Sequence, residues 1–207
     1  MNLDYELRTG LSRKLTVRDA HGEEDDNTFT LTGLAARTGF DYQVGGEMGY
    51  MEEFTERIQR GAFEETLAGS PDVTLLVSHA GLPLARTTSG TLQLHESHDG
   101  LEVEARLDRS DPDVARLVPK IQRGDLSKMS IGFYVREQVW NGDYDDRTIT
   151  RIDLNRGDVA VVTHPANPAT LVSVRSLPKP TGLVTEKIAP HLLDRHYWAG
   201  RVPLSVA

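Results

Sequence analysis

From Phe29 to Thr163 the apolar residues fall in short runs, most with a period of two, separated by glycine, proline or an Asn-Gly or Asp-Gly pair. Side chains alternate across a strand, so such runs form strands with one face in a core and the other toward solvent. Phe29, Leu31 and Gly33 share one face and Thr30 and Thr32 the other, and Phe54 to Ile58 resumes the alternation. Between them, Gly39 to Gly49 is glycine-rich and without period, which reads as a loop. Val73 to His79 is β-branched and apolar, bounded by Pro71 and Gly81, and predicts a largely buried strand with His79 at its end. Leu92-Gln93-Leu94 and Leu101 to Ala105 flank Asp99-Gly100 as an antiparallel hairpin. Met129 to Val135 leads across Asn141-Gly142 into Arg147 to Ile152, and Val159 to Thr163 is the last apolar strand.

Two short helices interrupt the pattern. One covers Ala62 to Leu67 and is terminated by Gly69 and Pro71. The other starts at Ser110-Asp111-Pro112 and carries Val114, Leu117, Val118 and Ile121 at i, i+3, i+4, i+7 spacing up to Gly124. Pro119 within it deletes a backbone donor and is expected to kink the helix or end it early. About seven strands with two helices predict a mainly β fold with peripheral helices (α+β). A closed antiparallel β-barrel is favoured because closure hides strand edges.

The 207 residues suit one such domain, over residues 28–176. Residues 1–27 form an N-terminal charged segment ending in Glu23-Glu24-Asp25-Asp26, which reads as a solvated loop. Residues 177–207 form a C-terminal linker and tail, opened by Leu177-Pro178-Lys179-Pro180-Thr181-Gly182. Within the tail, Tyr197 and Trp198 are aromatic anchors of the kind enriched at partner surfaces. The chain has no cysteine, which excludes thiol nucleophiles, Cys-ligated zinc and disulfides. Its 31 acidic against 23 basic side chains give a net charge of −8, so no nucleic acid partner is expected. No signal-peptide pattern and no run of about 18 apolar residues is present, so no membrane is expected either and a cytoplasmic location is favoured.

Ser130, Gly132 and Tyr134 share the strand face away from Met129, Ile131, Phe133 and Val135. A serine on a polar or open face, with Gly132 leaving space beside it, could meet an extended peptide. An outward polar residue of an ordinary amphipathic strand has the same pattern. His79 lies at the rim of the core, where a neighbour can set its tautomer, and Asp158 precedes the last strand. An acid beside a histidine orients a triad base, but triads are recognised by geometry, which spacing does not supply. His95-Glu96-Ser97-His98 lacks the i, i+4 spacing that converges two histidines on a metal, and reads as a solvated hairpin end. Asp108, Asp111 and Asp113 surround a helix start, where capping explains them. No metal and no cofactor is expected.

Several segments occur in a fixed order: Gly33-Leu34-Ala35-Ala36, Glu56-Arg57-Ile58 with Gly61-Ala62-Phe63, Leu75-Leu76-Val77-Ser78-His79, and Gly100-Leu101. Gly124 to Phe133, containing Ser130-Ile131-Gly132-Phe133, and Asp158 to Pro168, ending in Pro165-Ala166-Asn167-Pro168, complete the set. Together they resemble the prohead (capsid maturation) serine protease family of tailed bacteriophages, over about residues 28–175. The resemblance implies a barrel related to that of the herpesvirus assemblins and a serine endopeptidase with Ser130 as nucleophile and His79 as general base. The family's third member is usually a glutamate opening the last strand, and Asp158, one methylene shorter, holds that position. His164 competes for the role, since the assemblins pair serine with two histidines, but its place in the Pro-Ala-Asn-Pro turn argues against it. The implied substrates are scaffold and major capsid protein segments inside the assembling prohead, in the bacterial host cytoplasm. Cleavage of the chain's own tail and self-association are further expectations. The rival reading is a non-catalytic scaffold- or capsid-binding assembly module, and a general hydrolase is the third.

Overall fold

A computed structural model describes residues 5–9, 15–19, 27–45 and 53–163. Strands β1 (Tyr5–Thr9), β2 (Thr16–Asp19), β3 (Thr28–Arg37), β4 (Asp41–Val44) and β5 (Phe54–Ile58) precede helix α1 (Glu64–Ala68). Strands β6 (Thr74–Val77), β7 (Ala80–Arg86), β8 (Leu92–Glu96) and β9 (Gly100–Asp108) follow, then helix α2 (Pro112–Gln122), β10 (Lys128–Trp140) and β11 (Asp146–Val162). A smaller antiparallel sheet has the order β2-β3-β9-β8. The larger runs β1-β10-β11-β5-β4, and β6 joins β11 and carries β7.

The fold is mainly β with few helices, but the expected closed antiparallel barrel is not what forms. Among the described residues neither sheet closes, and the larger sheet is mixed, because β5 and β6 both run parallel to β11. The alternation of apolar residues specifies which face is buried and says nothing of partner or direction. What replaces closure is the length of β11. It pairs with β10 along one edge, and its other edge takes β5 at Asp146–Ile149 and β6 at Asp158–Val161. Between them Ile152 N–H donates to the Ala62 carbonyl at 3.0 Å and Leu154 N–H to Thr66 Oγ1 at 3.0 Å. That edge is therefore satisfied along most of its length.

The described residues hold eleven strands, not about seven. β1 and β2 lie in the segment read as charged, and β4 lies in the glycine-rich stretch read as a loop. β7 exposes five of its seven residues, so it carries no apolar rhythm to find. The two strands expected at 147–152 and 159–163 are one, of 17 residues. Helix α2 is not ended by Pro119 and runs on to Gln122, with Arg123 N–H donating to the Pro119 carbonyl at 3.2 Å. A proline this close to the C-terminus removes one bond without stopping the remaining turn. The acidic run 23–26, His164, the Pro-Ala-Asn-Pro segment and the tail 177–207 lie outside the described residues.

The core holds Leu31, Leu75, Leu101, Leu107, Met129, Ile131, Phe133, Ile149 and Leu154 at full burial, and α2 adds Val114, Leu117, Val118 and Ile121. At the start of β9, Gly100 has φ +142, and a Cβ there would lie 2.8 Å from Arg37 Cα and 2.9 Å from the Ala36 carbonyl carbon. Both neighbours are backbone and cannot step aside. Gly100→Ala is therefore expected to cost about 2–3 kcal/mol, read as a fall of several degrees in Tm; an unchanged Tm would show that β3 and β9 can separate there freely.

Candidate active site

Three elements of the larger sheet supply the site. β6 lies parallel to the end of β11, with Val77 opposite Val161 and Ser78 N–H donating to the Val161 carbonyl at 3.0 Å. The chain then reverses in two residues, Ser78 and His79, and enters β7 with Val77 opposite Ala80. Both turn residues have positive φ, +52 and +57. A hairpin this tight requires that conformation, which Asn and Gly normally supply and which costs other residues on the order of 1 kcal/mol or more each. The strain sits where the imidazole must be aimed. His79 is thus a turn residue rather than the last residue of the strand.

On β10 and β11, Ser130 is opposite Ala160 and Gly132 opposite Asp158. Residues opposite each other or two apart share a face. Ser130, Gly132, Ala160 and Asp158 are therefore the four corners of one patch, with the functional groups on a diagonal and small residues at the other two corners. His79 bridges the diagonal: its Nδ1 lies 2.6 Å from Asp158 Oδ2 and its Nε2 lies 2.7 Å from Ser130 Oγ. The other Asp158 oxygen accepts a hydrogen bond from the Tyr5 hydroxyl of β1. A carboxylate only accepts, so Nδ1 carries the ring proton and Nε2 turns its lone pair to the serine hydroxyl. In this arrangement the hydroxyl proton can pass to Nε2 while the carboxylate stabilises the imidazolium that forms.

The surroundings differ from expectation in one respect. Ser130 itself is fully buried rather than on an open face, while the His79 side chain beside it keeps 16% exposure. The space left by Gly132 is also filled: a Cβ there would lie 2.6 Å from Asp158 Oδ1 and would overlap the Tyr5 phenol. Gly132→Ala is accordingly expected to push Asp158 off His79 and to lower the reactivity of Ser130 by roughly 10- to 100-fold, measured as the rate of labelling by a fluorophosphonate.

The structure thus brings Ser130, His79 and Asp158 together, while His164 lies outside the described residues. His95 and His98 are exposed at the β8–β9 hairpin and pair with Glu102 and Asp99. Glu96 between them is engaged elsewhere. It accepts the N–H groups of Gly61 at 2.8 Å and Phe63 at 3.1 Å, and burial pushes its carboxyl above the usual range against the pull of those two donors. Asp111 caps α2 through Asp113 N–H at 2.7 Å, and Asp108 accepts from Ser110. Among the described residues no group of three or more His, Asp or Glu could hold a metal ion. Sequence reasoning missed Tyr5; its only signal is the apolar pair Tyr5 and Leu7, interleaved with Glu6 and Arg8.

A family model described as caudovirus prohead serine protease matches residues 19–180. No curated protein and no solved structure matches the chain. The matched span contains Ser130, His79 and Asp158 and begins after Tyr5.

Proposed function

The chain belongs to the caudovirus prohead serine protease family, and from that premise we propose that it is an endopeptidase of capsid maturation acting through a Ser130-His79-Asp158 triad. The hydrogen-bond chain from Asp158 through His79 to Ser130 carries the reading. Ser130 Oγ attacks the carbonyl carbon of the scissile peptide bond as its proton passes to His79 Nε2. The tetrahedral intermediate collapses, the C–N bond breaks, and Nε2–H gives that proton to the departing amine. Water then attacks the acyl ester with His79 again as base, which releases the new carboxyl end and restores Ser130. Asp158 fixes the ring's tautomer and balances its transient charge.

The aspartate is shorter than the glutamate usual in the family, and the parallel pairing of Thr74 with Asp158 supports its use: it draws the His79 turn close to β11. The substrates on this reading are scaffold and major capsid protein segments within the assembling prohead, together with the chain's own tail beyond Leu177. Among the described residues no helix is long and apolar enough to cross a membrane.

Incubation with the capsid and scaffold proteins, beside Ser130→Ala, tests the proposal. Wild type is expected to cut them and the variant to leave them whole. Capsid protein that is bound but never cut would instead support an assembly module, and cutting of unrelated proteins at equal rate would support a general hydrolase. For the tail, loss of a C-terminal piece in the intact mass of wild type but not of Ser130→Ala is expected on prolonged incubation. A stable full-length wild type rules out self-cleavage.

A further inference from the structure

We propose that Tyr5 is a positioning residue for the triad, its hydroxyl holding Asp158 Oδ1 so that Oδ2 stays on His79. This rests on the triad reading above. A carboxylate held by a single donor can turn about its terminal torsion, which is broad and roughly two-fold. A second donor on the other oxygen removes that freedom. It also satisfies an oxygen that burial would otherwise leave at a cost.

Three independent features aim the phenol. The Tyr5 ring stands edge-on to Tyr134, its register partner on β10, with centroids 5.0 Å apart and planes at 62°. The next residue, Glu6, faces the opposite way and is buried against Arg147, with Oε2 2.9 Å from Nη1 and Oε1 2.8 Å from Nη2. That ion pair pins β1 in register, so the ring cannot slide along the sheet. Gly132, last, provides the cradle, since any side chain there would occupy the place of the hydroxyl. The glycine of the Ser-Ile-Gly-Phe segment thus has a specific reason: it makes room for the Tyr5–Asp158 contact.

Chemistry agrees with geometry. Burial, and then the Asp158 carboxylate, push the Tyr5 phenol above the ordinary tyrosine range, so it remains a donor under all conditions in which a histidine base works. Tyr5 lies ahead of the span matched by the family model, so in this chain the N-terminal strand completes a site whose other groups all come from within that span.

The test is a double-mutant cycle on the full chain, read as the rate at which diisopropyl fluorophosphate transfers its diisopropylphosphoryl group to Ser130 Oγ, with loss of fluoride and the hydroxyl proton. In the wild-type background Tyr5→Phe is expected to slow labelling roughly 10- to 100-fold. In an Asp158→Ala background it is expected to change the rate by less than about twofold, because a group that acts through Asp158 has nothing left to position. Equal losses in both backgrounds would mean a general structural role, and no loss in wild type would mean no role; either overturns the proposal. Gly132→Ala, which evicts the same hydroxyl from the other side, is expected to give the same dependence on Asp158. If instead wild type takes no label at Ser130, or Asp158→Ala labels at the wild-type rate, the triad reading itself falls.

Discussion

Ser130→Ala and His79→Ala are each expected to lower capsid-protein cleavage by about 10⁴- to 10⁶-fold, with the double variant no worse than either alone. The expectation follows from how the two groups share one proton. Without Oγ there is no nucleophile, and without Nε2, 2.7 Å away, the hydroxyl proton has no acceptor and the departing amine no donor. Removing the second member of such a unit takes away nothing that the first has left. The variants are expected to keep the fold, because the sheet around them is held by main-chain pairing of β10 with β1 and β11. Gel assays of capsid-protein cleavage, with circular dichroism to verify folding, measure both parts. A folded Ser130→Ala that retains even one hundredth of the wild-type rate would sink the assignment.

The second large effect is on stability. Arg147 is almost wholly buried, as are its partners Glu6 and Glu56, and it bonds Glu6 through both terminal nitrogens, Glu56 at 2.8 Å and Gln138 at 2.6 Å. The Tyr42 hydroxyl donates to Glu56 in turn. Arg147→Met keeps much of the volume but leaves two neighbouring carboxylates in the interior without their cation. Breaking a buried pair from one side costs about 3–5 kcal/mol, and here one side chain serves two acids. Replacing all three charged residues by apolar ones of similar size removes the uncompensated charge. That triple variant is expected to recover most of the loss. Denaturant midpoints of the single and triple variants decide it. A loss below about 1 kcal/mol for Arg147→Met would mean that water reaches the cluster.

How much of this was legible depended on whether the signal was local. The β8–β9 hairpin could be read from Asp99-Gly100 because turn chemistry is written in adjacent residues. Helix α2 could be read from its cap and apolar spacing for the same reason. Glu6 could not: its charge argues for solvent, and the group that makes burial tolerable lies 141 positions away. The same holds for Tyr5. The sequence predicts separate strands at 147–152 and 159–163 where β11 is continuous, and the stretch between them is irregular. Arg156 has φ +64, its N–H leaves the ladder to donate to the Asp72 carbonyl at 2.7 Å, and the register with β10 shifts there. The strand bulges and continues, which only its partners decide. The candidate site residues rest on the order of several segments, since no spacing in the chain encodes that a turn after β6 would reach across to β10.

That last arrangement has a consequence for the timing of folding. His79, Ser130 and Asp158 come into contact only once β11 lies between β10 and β6, and the β6–β11 pairing joins residues 84 apart. Pairings this remote in sequence close late, since the chain must give up its freedom before the contact repays it. The chain also emerges from the ribosome with residue 158 after both other groups, so a nascent fragment that stops short of Asp158 lacks one of the three proposed triad groups. On the proposed triad, peptide-bond hydrolysis is therefore expected only after the β6–β11 pairing has closed.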